Sequence, residues 1–413
     1  MKDKCDDRIK ADQKKLRRQD QGEIEMTESK GGRSMERFNT ELEELKKKQK
    51  ELESRYSGIG TIRFLMFLVM AGGLIVGLYD SNIPFLIAGI LAVVAFVFLV
   101  FKHGKLNEQL EYNRAKVIVY ERYLKRYDDS WKEFEEDGSE YLTDEDLVAK
   151  DLDIMGKNSL YQFICVAGTE DGRQLLAETL RQPEFASEDR KKRQDAVREL
   201  TEKHDFSMGF ETLCVKSGMG KKKKYSSDEF VAYCTSDEHI SGIFNILRFL
   251  LPLVTIVLLI LGIMGKVNLG YSLISFFVVL LFAWITSGVA GQAVMPMISF
   301  GYVMDDYIKM FEQISDENFD SELLKDIKNT ISEDTGALNA VKKLERISSA
   351  FNIRYNPIIH QVLCGLLLWD FHLGFMMDKW RDRYGSKVKD WIHAISRMEE
   401  LLSFAALART RDV

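Results

Sequence analysis

Metal centres, acid–base pairs and phosphate loops announce themselves as particular residue types at fixed spacings, and this chain offers few of them. Its six histidines and five cysteines are scattered. Cys5, Cys165, Cys214, Cys234 and Cys364 show no CxxC pairing, which reads as reduced thiols. No histidine stands in an HxxE or HExxH arrangement, the spacing that sets two ligands on one helix face, so no metal site is expected. Asp370 and His372 have the types for general acid–base work. Neither a third partner nor a nucleophile accompanies them, and they read as a satisfied polar pair. The run GMGKKKK from Gly218 to Lys224 lacks the GxxxxGK[ST] spacing of a phosphate loop, and no apolar strand feeds it. It reads as a flexible basic loop in which Lys221, Lys222, Lys223 and Lys224 are candidate contacts for phosphate or anionic lipid. No catalytic group, cofactor site or nucleotide site is visible, so this chain by itself should not hydrolyse ATP.

The elements that would have to position any such chemistry are helices. The chain has 413 residues, of which 46% are hydrophobic and 29% charged, yet its mean hydropathy is slightly negative, so the apolar residues are gathered in blocks. Only five prolines occur and Leu, Lys, Glu and Met are frequent, which favours an all-α fold over a strand-and-turn one. The net charge of −6 gives no global attraction to nucleic acid or anionic lipid.

Four blocks have the length of membrane spans. Ile62 to Tyr79 is apolar except for Arg63 at its edge, and Ile83 to Phe101 is uncharged; each nears the ~20 residues a helix needs to cross hydrocarbon. Asp80, Ser81 and Asn82 join them in a tight turn. Ile243 to Met264 and Leu269 to Ala290 repeat the arrangement around Gly265 to Asn268, with Arg248 placed to snorkel to the headgroups. About sixty polar residues precede the first block, unlike a cleavable signal. Lys46 to Lys50 and Arg55 lead in and Lys102 and Lys105 lead out, which sets both termini and the long middle segment in the cytoplasm of an integral membrane protein. The spans hold no acidic residue from which an ion path would be built.

The organisation expected is a charged disordered tail at 1–34, a coiled-coil helix at 35–58, the first transmembrane hairpin at 59–103, a second coiled-coil helix at 104–138, helical segments at 139–241 and 292–413, and the second transmembrane hairpin at 242–291. Met35, Phe38, Leu42, Leu45, Gln49, Leu52 and Tyr56 form one seam of alternating three- and four-residue steps. Leu106, Leu110, Asn113, Val117, Tyr120, Leu124, Tyr127, Trp131 and Phe134 form another. The two can pair with each other as an antiparallel stalk or each with a second copy, and the sequence leaves both open.

Beyond the stalk, DLDIMGKNSLYQFICVAGTEDGRQLLAETLRQPEFASEDRKKRQDAVREL, Asp151 to Leu200, resembles the MutS family of DNA mismatch repair ATPases at the start of its helical core, or lever. The resemblance rests on Asn158, Ser159 and Leu160 opening a first helix, Thr169, Gly172 and Arg173 at the turn into a second, Leu176 and Leu180 along it and Pro183 ending it. Arg193, Gln194 and Val197 continue it in a third. From Asn356 to Leu407 the chain is similar to the returning helices of the same core, through Pro357, Trp369, Asp370, Trp380, Trp391, Glu399, Ser403 and Ala405. His360, Asp370 and His372 interrupt its apolar run, which reads as a buried core helix and not a fifth span.

The resemblance implies a core that couples an ATPase domain, with ATP and Mg, to DNA, in a homodimer anchored in a lipid bilayer, the plasma membrane of a bacterium. The chain departs from the family in three places. No mismatch-reading domain precedes Asp151, the second hairpin stands where a DNA clamp is usual, and the ATPase domain is absent before Val413. The last reads as a fragment of a longer protein, the alternative being a split gene with the ATPase domain supplied in trans. A different class of function, a non-enzymatic membrane scaffold that binds a protein partner through its cytoplasmic helices, competes with the family reading.

Overall fold

A computed structural model describes residues 35–411 apart from short intervals at 80–82, 145, 182–186, 220–226, 293–294, 333–335 and 356. The tail expected at 1–34, the turn at 80–82, Pro183 and the four lysines 221–224 lie outside the described residues. In chain order the helices are α1 (Lys2–Tyr79, described from Met35), α2 (Ile83–Tyr127), α3 (Leu147–Asp151), α4 (Leu160–Ile164), α5 (Glu170–Arg181), α6 (Ser187–Glu202) and α7 (His204–Gly218). There follow α8 (Asp228–Thr235), α9 (Gly242–Ile263), α10 (Leu269–Ile285), α11 (Ser287–Gln292), α12 (Met295–Asp316), α13 (Glu322–Ser332) and α14 (Ala337–Phe351). The last three are α15 (Pro357–Leu367), α16 (Trp369–Tyr384) and α17 (Val388–Arg411). No strand occurs among the described residues, so the all-α expectation holds. The chain divides into two units: residues 1–166, 200–219 and 402–413 form one, and 167–199 with 220–401 the other.

The first unit is built on α1 and α2, which run antiparallel. Phe38 stacks on Tyr123 with ring centroids 4.9 Å apart, Asn113 Nδ2 donates to the Leu45 carbonyl at 3.0 Å, and Tyr56 meets His103 at 4.1 Å. Further along, Phe67 faces Phe96, and a methyl on Gly73 would stand 3.0 Å from the Gly89 Cα, so the two backbones touch there. Within this chain the two seams face each other, with Leu52, Leu106 and Leu110 packed together beside Tyr56. Phe38, Leu42, Leu52, Leu106 and Leu110 are buried between the helices. Past Ile62 the outer faces change character: Phe64, Leu65, Phe98 and Phe101 are exposed, as a lipid-facing surface requires.

In the second unit, α9 and α10 form a hairpin whose Thr255 and Ser275 hydroxyls share a 2.7 Å hydrogen bond. Small polar side chains of this kind join helices where no water competes. Amphipathic helices make the rest. Leu323, Leu324, Ile327 and Ile331 line the buried stripe of α13, and Ala340, Val341, Leu344, Ile347 and Phe351 that of α14. Trp380 of α16 is buried and donates its indole N–H to the Ala340 carbonyl at 2.7 Å.

Among the described residues, three helices are long and apolar enough to cross a membrane: Met35–Gly73, Ile87–Tyr127 and Gly242–Ile263. The fourth, Leu269–Ile285, is shorter than the block read from the sequence, because Thr286 caps it and α11 begins afresh at Ser287. Thr286 turns its hydroxyl back to the Phe282 carbonyl at 2.6 Å. Arg248 also departs from expectation. It is buried, its guanidinium 4.4 Å from the Phe375 ring centre and 4.7 Å from that of Phe249, so α16 covers the side chain that was placed to reach headgroups.

Candidate functional site

Two polar sites stand out in the second unit, and the first is assembled from residues far apart in sequence. Thr169 precedes α5, and its hydroxyl oxygen accepts the Gly172 N–H at 3.0 Å, an N-cap geometry that satisfies one of the free amides of the first turn. The same hydroxyl donates to Oε2 of Glu399, which is wholly buried on α17. Oε1 of Glu399 accepts the Gly168 N–H at 2.9 Å and the Thr169 N–H at 3.1 Å. A buried carboxylate is tolerable because backbone donors at a helix start replace its water. Gly172 is required for the approach, since a methyl there would overlap the Glu399 carboxylate. One residue further along α17, buried Glu400 pairs with Arg193 of α6. Arg173 hydrogen-bonds the Gly168 carbonyl at 3.2 Å and Glu170 at 2.9 Å.

Several residues singled out in the sequence therefore meet: Thr169 and Gly172 with Glu399, and Arg193 beside them through Glu400. Gln194 and Val197 lie on α6 with Arg193. In the first unit Ser403 accepts the Val166 N–H at 3.2 Å. There too Asn158 takes a left-handed backbone at φ 60°, Ser159 caps α4 by accepting the Gln162 N–H at 3.2 Å, and Leu160 is the first helical residue. Asn is among the few side chains that adopt such a φ readily. These groups hold helices together and offer no reactive atom.

The second site lies where α15 turns into α16. Leu368, at φ 48°, makes a left-handed corner that brings the first turn of α16 back beside α15. Asp370 there accepts two hydrogen bonds from Arg354, at 3.1 and 2.7 Å, and lies 3.0 and 3.1 Å from Nε2 of His360. Cys364 Sγ stands 3.3 Å from the same nitrogen. Burial alone would raise the Asp370 carboxyl, but Arg354 and His360 outweigh it and hold the group below the usual aspartate range. Burial, with the Asp370 charge adding to it, pushes the Cys364 thiol up to about 12. The expected pairing of Asp370 with His372 does not occur: His372 points to the other side and meets the Phe249 ring edge-on at 5.0 Å. Sequence reading missed His360, Cys364 and Arg354. The i, i+4 spacing of His360 and Cys364 was a signal, but their carboxylate and guanidinium partners come from other elements.

No family model, no curated protein and no solved structure matches this chain.

A further buried network in the first unit was also invisible in sequence. Arg409 donates to the Tyr123 hydroxyl and to Glu211 Oε1, each at 2.9 Å, and to the Leu200 carbonyl at 2.7 Å. Arg126 donates to the Phe163 carbonyl at 2.7 Å and lies over the Tyr123 ring. Arg409 meets the Glu211 carboxylate and Arg126 meets backbone carbonyls, which ties the helices of this unit together. None of the four described cysteines is in a disulfide.

Proposed function

We propose that this chain is the helical core of a membrane-anchored MutS-like protein, a lever that couples the movement of an ATPase domain to DNA held on the cytoplasmic side. The observation that carries the reading is the meeting of Thr169 and Gly172 with Glu399, about 230 positions apart. The two stretches that resemble the family in sequence thus join through the residues on which the resemblance rests. A lever needs such rigid buried ties, because a force applied at one end is lost in any joint that slips. The two hairpins serve as anchors in a bacterial plasma membrane, with the basic flanks and both ends of the chain in the cytoplasm. ATP and Mg belong to the ATPase domain, in cis or in trans, and the active form is a homodimer.

The test is a titration of the full chain, reconstituted in nanodiscs, against a mismatched and a matched duplex at increasing salt. Binding is expected to be tightest at low salt and to fall as salt rises, because phosphate contacts release counterions. Absence of binding at the lowest salt would overturn the DNA part of the reading and favour a scaffold for a protein partner. A parent gene that continues past Val413 into an unrelated sequence, with no Gly-rich phosphate loop, would count against the lever.

A further inference from the structure

The cluster at the α15–α16 corner carries more chemistry than an ion pair needs. Arg354 and Asp370 already neutralise each other, and His360 completes the carboxylate's hydrogen bonding. A thiol beside them adds nothing to that arrangement. Yet Cys364 Sγ, His360 Nε2 and a carboxylate oxygen of Asp370 converge so closely that all three lie within 4.8 Å of one another. Two of the donors share a helix face at i and i+4, and the third is delivered by the Leu368 corner.

The two separations from the imidazole nitrogen are close to those around a metal ion. Around tetrahedral zinc, bonds of about 2.0–2.3 Å set neighbouring ligand atoms roughly 3.3–3.7 Å apart. The imidazole nitrogen here is 3.0 Å from the carboxylate and 3.3 Å from the sulfur. An outward movement of a few tenths of an ångström on the carboxylate side would open the cluster around an ion.

We propose that His360, Cys364 and Asp370 form a three-ligand site for a borderline-soft divalent cation of the Zn2+ class, with the fourth position open to water or a small ligand. The mixed nitrogen, sulfur and oxygen set disfavours Mg2+ and Ca2+, which take oxygen donors. Binding forms a metal–sulfur bond and breaks the S–H bond of Cys364, the proton passing to solvent. Arg354 is the competing cation. It occupies both oxygens of Asp370, so the ion must win one oxygen from the guanidinium, whose positive charge opposes its binding. The edge of the site is reachable, since His360 and Asp370 keep 23% and 13% of their side chains exposed. The proposal is independent of the lever reading.

The experiment uses the full chain in detergent micelles, stripped with a chelator and titrated with Co2+ as a spectroscopic probe, then with Zn2+ against a chromophoric chelator. Wild type is expected to bind one equivalent, with a thiolate-to-cobalt charge-transfer band in the near ultraviolet and the visible bands of a tetrahedral ion. Cys364→Ser should abolish the charge-transfer band, and His360→Gln should weaken Zn2+ binding by about tenfold or more. Arg354→Gln should tighten it severalfold by freeing the carboxylate, a gain that a misfolded variant would not give. The proposal is overturned if wild type shows no charge-transfer band, if the band survives Cys364→Ser, or if Arg354→Gln leaves affinity unchanged or lower.

Discussion

Glu399 has its two oxygens in different company, so its substitutions separate charge from shape. Glutamine keeps a carbonyl for the Gly168 and Thr169 amides and presents an amide to the Thr169 hydroxyl, which should cost about 1 kcal/mol. Alanine strands those buried donors and should cost about 3 kcal/mol. Gly172→Ala should match the alanine variant, because the added methyl displaces the carboxylate from the same donors. Denaturant unfolding of the detergent-solubilised chain measures all three. His204 gives a pH dependence. Burial, and after it Arg37 and Arg409, hold its imidazole below the usual histidine range. Below about pH 6.5 the unfolded chain takes up a proton that the folded chain refuses. Stability is therefore full above that pH and falls as pH drops toward the folded value, and His204→Asn should flatten the fall in melting temperature on acidification. Residues such as Ser159, a cap next to its own helix, were legible because their partners are local. Glu399 could be named but not explained, since its donors lie about 230 positions away.

Elements were more legible than their partners. The seams of α1 and α2, the apolar blocks and the stripes of α13 and α14 all follow from periodicity within one segment. Whether α1 pairs with α2 or with a second copy depends on closing a turn, which no periodicity encodes. Glu53 and Arg114, joined at 2.9 Å, mark the pairing. Replacing both by cysteine and oxidising should give a cross-link inside one chain, seen as an unshifted monomer on a denaturing gel, and a dimer band would contradict the hairpin. Leu110→Ala, at a position only 2% exposed, should cost about 2–4 kcal/mol through the cavity it leaves. In the membrane part of the same pair, Gly73→Leu would force the backbones apart at Gly89 and should loosen the first hairpin, read as faster proteolysis. The end of α10 was not legible, because hydropathy runs on past Ile285 while the helix stops there.

At the scale of the molecule, the proposed lever predicts that damage to its ties and damage to its anchors have different readouts. Glu399→Ala should weaken any coupling between ATP turnover and DNA binding while leaving membrane insertion intact, which carbonate extraction of membranes would show. Loss of insertion in that variant would mean that the tie serves biogenesis and not transmission. The unequal second hairpin has a separate consequence. Its first helix, 22 residues long, reaches about 33 Å, and its second, 17 residues long, only about 25 Å. A bilayer about 30 Å thick matches the first and overhangs the second. Were α10 to cross the bilayer beside α9, the lipid around it would have to compress, or its polar neighbours Asn268 and Thr286 would have to enter hydrocarbon, and either raises the energy of a thick membrane relative to a thin one. The chain should therefore melt at a higher temperature in short-acyl than in long-acyl phosphatidylcholine. In a cell, it should gather where the bilayer is thinnest, so that hydrophobic mismatch acts as a sorting signal.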